Sequence, residues 1–286
     1  MRGLAFILLI LLSPSLNAMG FASGGRQQER LQNVLRLLEV QPKGQSLLAK
    51  ARTEWGIHDA SGWSSRIQWG GVSRTDTTLV RKYNLDTREE KRERRVEIVL
   101  RQDQSDQDAA LDLAHELVHA LSRPAFDPYD PYLTPGKYVA ASIEGTGGEV
   151  EAMTSECQVT LEMNQGQSFM HFHRCKKYLN LEKGFVNQEK IREDFYRSGQ
   201  WFDQVREELG EEKYRFPHLS NSKPEFYSSI EGVPYPIALI QEYKQLTLSA
   251  CFNSAQRKKN LSRDQKPPSL TDSFHLEERC KKIEFH

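Results

Sequence analysis

Residues 107–121 place Ala110, Leu113, Ala114, Leu117, Val118 and Leu121 at i, i+3, i+4, i+7, i+8 and i+11, which stacks them on one face of an α-helix. Ser105 or Asp106 is suited to cap its start, and Pro124 cannot continue it. In the preceding stretch, residues 95–102, Val96, Ile98 and Leu100 alternate with Glu97, Val99 and Arg101, the period of a strand. A strand feeding a strongly one-sided helix is thus the anchor around which the rest of the chain has to pack.

That helix carries His-Glu-Leu-Val-His at 115–119, away from the centre of its apolar stripe. Histidines four apart project from one helix face, so both imidazoles can reach one Zn²⁺ at about 2 Å. Glu116 is offset by one residue. It leans beside the metal, where a carboxylate can take a proton from a water that the metal has acidified. We expect His115 and His119 as metal ligands and Glu116 as general base.

A catalytic zinc requires a third protein ligand and an open position. A second helix is expected over 147–163, with Val150, Met153, Cys157 and Leu161 facing inward. On it Glu149, Ala152 and Glu156 share a face, and Ala152 would let the two helices approach closely. Glu149 is the expected third ligand. Glu151, Glu144 and Glu156 stay open as alternatives, with Glu156 otherwise a partner for an imidazole or a surface acid. Asp112, three residues before His115, is a second group able to orient a ring, or an ordinary exposed acid. His171 and His173 alternate but stand in a stretch that reads as helical, 169–182, and the site already has its ligands. Tyr129, Tyr132 and Tyr138, in the Pro- and Gly-rich loop expected over 124–148, are candidate donors to a developing oxyanion, with loop packing the plainer reading for each. No nucleophile elbow, phosphate-binding glycine loop or Cys–His pair is present in the sequence.

At HELVH and the downstream Glu149-Val-Glu-Ala152 helix the chain resembles the gluzincin branch of the zincin metallopeptidases. The resemblance covers roughly residues 95–163. It implies an α+β, zincin-like fold: a small antiparallel sheet, an active-site helix and a mostly helical remainder. It also implies zinc held by the two histidines and a glutamate from a following helix, with the HExxH glutamate as base. Substrate would lie extended along the strand before the helix, here residues 96–101. The thermolysin-type NExxSD pattern is absent.

The remaining sequence bounds the setting. Arg2, the apolar run Leu4 to Leu12, Pro14 and small residues at Ala18 and Ala22 read as an export signal over 1–22, too short to span a bilayer. A metallohydrolase domain is expected over 23–255 and a tail over 256–286. Four cysteines in an exported chain permit two disulfides, and spacing favours Cys157–Cys175 and Cys251–Cys280. Lys and Arg total 39 against 39 Asp and Glu, which recommends neither nucleic acid nor an anionic membrane as partner. The charge run 85–95 reads as a solvated loop or helix face. Further helices are expected over 26–39, 45–54, 187–198, 200–210 and 237–250. The expected protein is a secreted or periplasmic zinc peptidase acting on a peptide or protein, without stable membrane insertion. The alternatives are a zinc amidase or deacylase acting on cell-wall amides, an effector that cleaves one partner protein, and a non-catalytic exported binding protein on the same scaffold.

Overall fold

Two apolar cores meet at one helix of the computed structural model, which describes residues 16–83, 90–164, 174–229, 232–260 and 276–281. The first core lies beneath α1 (Leu16–Glu39), α2 (Pro42–Trp55) and α3 (Ala60–Ser64), with α4 (Asp106–Ser122) at its centre. Leu31, Val34, Leu35 and Leu38 of α1 are all buried, as their spacing predicts. All six stripe residues of α4 are buried as well. Truncating Leu113 or Leu117 to Ala would cost about 2–5 kcal/mol. Ser105 caps α4 by accepting from the Asp108 amide at 3.1 Å.

α6 (Glu149–Met163) supplies Ala152 and Val159 to the first core and Val150, Met153 and Cys157 to the second. The second core is closed by α5 (Pro135–Ile143), α7 (Gln188–Phe195), α8 (Phe202–Leu209) and α9 (Tyr235–Asn260). α5 corrects the expectation of a structureless loop over 124–148. Thr134 caps it by accepting from the Lys137 amide, Pro135 stands where a missing N–H costs nothing, and Tyr138, Val139 and Ile143 are buried.

The sheet also differs from the antiparallel one expected. Strands β1 (Ile67–Gly70), β2 (Arg74–Tyr83) and β3 (Glu90–Arg101) stand in the order β1-β3-β2. β1 runs parallel to β3 and β2 antiparallel, because residues 71–73 carry the chain around the end of β3. β3 is therefore the central strand. Val96, Ile98 and Leu100 face the core as their alternation predicts. Residues 90–95 of the charge run extend β3 rather than forming a loop or helix face, and 85–89 lie outside the described residues. The ladder sets Arg81 opposite Arg92 and Lys82 opposite Lys91, and Lys82 reaches diagonally to Glu93 at 2.9 Å. Arg94 turns inward and donates to the Ala120 and His119 carbonyls, at 2.8 and 3.2 Å, near the C-terminus of α4.

Residues 174–182 are not helical as a run. A 3-10 turn, Lys176–Tyr178, leads into the small hairpin of β4 (Leu179–Asn180) and β5 (Phe185–Val186). Both expected disulfides are present: Cys157–Cys175 joins α6 to that turn, and Cys251–Cys280 ties 276–281 to α9. They are compatible with an oxidising compartment. α9 runs through residue 260, into the stretch expected as tail, and 261–271 lie outside the described residues. So do Arg2, Leu4 to Leu12 and Pro14 of the export signal, while α1 begins at Leu16, within that segment. Among the described residues no helix is long and apolar enough to cross a membrane.

Candidate metal centre

His115 and His119 leave α4 on one face, their ring centroids 4.9 Å apart. Glu149, the first residue of α6, reaches them from the facing helix. Its Oε2 is 3.4 Å from His115 Nε2 and its Oε1 is 3.5 Å from His119 Nε2. The other nitrogen of each ring is already engaged. His115 Nδ1 lies 3.1 Å from Glu156 Oε2, and His119 Nδ1 lies 2.7 Å from the Gly147 carbonyl. A carboxylate and a carbonyl only accept, so each Nδ1 carries the proton and both Nε2 atoms turn toward Glu149.

This donor set fits a metal ion. Glu149 Oε2 is buried and has no hydrogen-bond partner, an uncommon and costly state for a carboxylate oxygen. Ligands held about 2.0–2.1 Å from a tetrahedral ion stand about 3.3–3.4 Å from one another, close to the distances here. The three residues form a buried or largely buried group that could hold a metal ion. A second group, Glu189, Glu193 and His218, is more exposed, and Glu189 is spent on Arg192.

The charges respond to this crowding. Burial disfavours a charged His115, but the Glu149 and Glu156 carboxylates facing its two nitrogens outweigh it and raise the ring well above the ordinary histidine value. Burial likewise opposes ionised Glu149, yet His119 and His115 hold it well below the usual carboxylate range. Burial raises Glu116, against the pull of both imidazoles and of a hydrogen bond from Thr75. That hydroxyl donates to Glu116 Oε2 at 2.7 Å and also lies 3.0 Å from the Glu116 carbonyl.

The other candidates separate clearly. Glu151 accepts from the Gly147 amide at 2.7 Å and so closes the turn into α6. Glu144 accepts from Tyr196 at 2.6 Å and pairs with Arg192. Asp112 binds Ser73 and, at 3.0 Å, Arg174, and among the described residues it pairs with no imidazole. Tyr132 is exposed, Tyr138 is buried against Phe126, and Tyr129 reaches the Ala250 carbonyl. His171 and His173 lie outside the described residues.

A cleft of about 430 Å³ reaches His115, with Glu116 also in its wall. None of the three loop tyrosines lines it. Tyr235, the first residue of α9, does, and burial together with the Glu149 and Glu116 charges raises its hydroxyl well above the ordinary tyrosine value. No protein-family model, curated protein or solved structure matches the chain.

Tyr235, Thr75 and Arg174 are the site residues that sequence reasoning missed. Arg174 alone left a local signal: it precedes Cys175, whose expected partner Cys157 follows Glu156. Residues 96–101 are not a free edge: each pairs with β1 or β2, and Ile98 and Val99 with both. The outer strand beside Glu116 is β2, which carries Thr75.

Proposed function

We propose that this chain is an exported zinc-dependent peptidase of gluzincin type. The observation that carries the reading is the convergence of His115 Nε2, His119 Nε2 and Glu149 on one point, with Glu116 on the cleft side. Two imidazoles and a carboxylate suit zinc, and the orientation of each ring is held from behind, as a tight metal site requires. Zinc bound there supplies Lewis acidity, polarising a scissile carbonyl and making water easier to deprotonate. Glu116 takes the proton and returns it to the leaving amine. Thr75 donates to that carboxylate, which favours its ionised form against burial and fixes its aim. Tyr235 keeps its proton at neutral pH and is the cleft's candidate donor to a developing oxyanion. An outer strand next to the base favours an extended peptide, which can add to β2 through main-chain hydrogen bonds. The cysteine pairing and the N-terminal apolar run support export.

The test is to measure zinc content and cleavage of a diverse peptide library for the wild type and Glu116→Gln. Zinc in both with cleavage by the wild type alone supports the peptidase. Zinc in both with no cleavage by either turns the reading toward an amidase, a single-target effector or a binding protein. Absence of zinc from both, even when it is supplied, overturns it.

A further inference from the structure

The Cys157–Cys175 disulfide links the residue after Glu156 to the residue after Arg174. Glu156 is 2 % exposed and divides its carboxylate. Oε2 faces His115 Nδ1 at 3.1 Å, and Oε1 faces Arg174 Nε at 3.3 Å. Arg174 also donates from its other arm to Asp112 Oδ1 at 3.0 Å. Asp112 in turn holds Ser73, whose Oγ accepts from the Arg101 amide at the end of β3. One guanidinium therefore clamps α4 through Asp112 and α6 through Glu156, and it does so directly behind the His115 ring.

The geometry points to Arg174 as a positioning residue of the metal centre, kept in place by the Cys157–Cys175 disulfide. An ordinary exposed ion pair would contribute little, because two flexible chains in water gain little by meeting. The Arg174 side chain is itself 59 % exposed, but its acidic partner and its backbone are not those of an ordinary surface pair. The Glu156 carboxylate is 2 % exposed although Glu156 lines the cleft, so the guanidinium is the group that covers its second oxygen. The arginine backbone is pinned by its cysteine neighbour, so little freedom is lost in holding the clamp. Without Arg174 the Glu156 carboxylate is free to turn from His115, and the ring loses the fixed acceptor that aims Nε2. Groups that hold a metal-binding histidine from behind typically contribute 10-fold to 100-fold in metal affinity. The metal site then reaches full affinity only where Cys157 and Cys175 are oxidised, which couples assembly of the site to export.

This inference rests on the zinc reading above, and the test separates the two. Zinc affinity is measured by chelator competition on full-length metal-free protein, with folding checked by thermal melting. We expect Arg174→Gln to bind zinc about 10-fold more weakly than the wild type and Arg174→Lys to fall between them, because lysine keeps the charge but not the two-armed fork. Replacing Cys157 and Cys175 together with Ala should weaken zinc by the same factor. Adding Arg174→Gln to that variant should weaken it no further, since both changes remove one interaction. If the cysteine variant fails to fold, the two Arg174 variants decide alone. Equal zinc affinity in Arg174→Gln and the wild type overturns the inference while leaving the zinc reading intact. A wild type that takes up no zinc overturns both.

Discussion

His119 Nδ1 donates to the carbonyl of Gly147 at 2.7 Å, so one histidine of the candidate centre is fastened to the turn that launches Glu149. Gly147 has a φ of 69°, and a Cβ there would lie 2.2 Å from the Arg123 amide nitrogen. Glycine alone meets both conditions. Gly147→Ala should therefore cost about 1–3 kcal/mol of stability and, by moving that carbonyl, weaken metal binding about 10-fold. Thermal melting and a metal titration check the two effects separately.

Metal uptake should release protons. The metal-free His115 is raised above the ordinary histidine value by its carboxylate neighbours, which favours the charged ring, yet a ligand must be neutral. Binding should release protons below the folded value of that ring, and affinity should climb with pH until that value is passed. The sign for stability without metal is the opposite. The His115 contribution is fully present below its unfolded value and is lost as pH rises through the folded one. The Glu149 contribution is present above its unfolded value and is lost as pH falls through its depressed one. The metal-free chain should thus lose stability on both sides of neutrality, which melting across a pH series reads directly.

Thr75→Val removes the hydroxyl that bonds Glu116 and leaves the three candidate ligands untouched. Turnover should fall about tenfold, the kinetic equivalent of roughly 1.5 kcal/mol for a hydrogen bond to a charged group. Burial already raises Glu116, and losing this donor raises it further, so the acid limb of the activity profile should move to higher pH. Zinc content should stay at the wild-type level, which elemental analysis can verify.

Tyr235→Phe tests the oxyanion donor. Removing one such donor lowers turnover on the order of 100-fold. The expected pattern is a loss in kcat with KM and zinc content nearly unchanged. A loss confined to KM would make Tyr235 a substrate contact instead.

The two disulfides should behave differently. Cys251–Cys280 closes 29 residues and seats Arg279 on the Pro128 and Leu133 carbonyls, contacts outside the metal centre. Replacing this pair with Ala should cost roughly 3–4 kcal/mol by the chain-entropy argument and leave zinc affinity unaltered. Melting and chelator competition together distinguish it from Cys157–Cys175.

The amino-acid sequence by itself determined what depends on neighbours a few residues apart. Helical periodicity sets the α4 stripe and puts His115 and His119 on one face, and the same geometry selects Glu149 with Glu156 behind it. Alternation marks the core face of β3, and cysteine spacing favours the two pairings found. Tertiary structure alone decided the rest. Thr75 reaches Glu116 across 41 positions and Arg174 reaches Asp112 across 62, and Tyr235 arrives from the start of a distant helix. The parallel placement of β1 beside β3, the β2 edge and the burial of α5 have the same origin. Such contacts form because buried charges and apolar faces must find partners anywhere in the chain, and that requirement leaves no period in the residues that satisfy it.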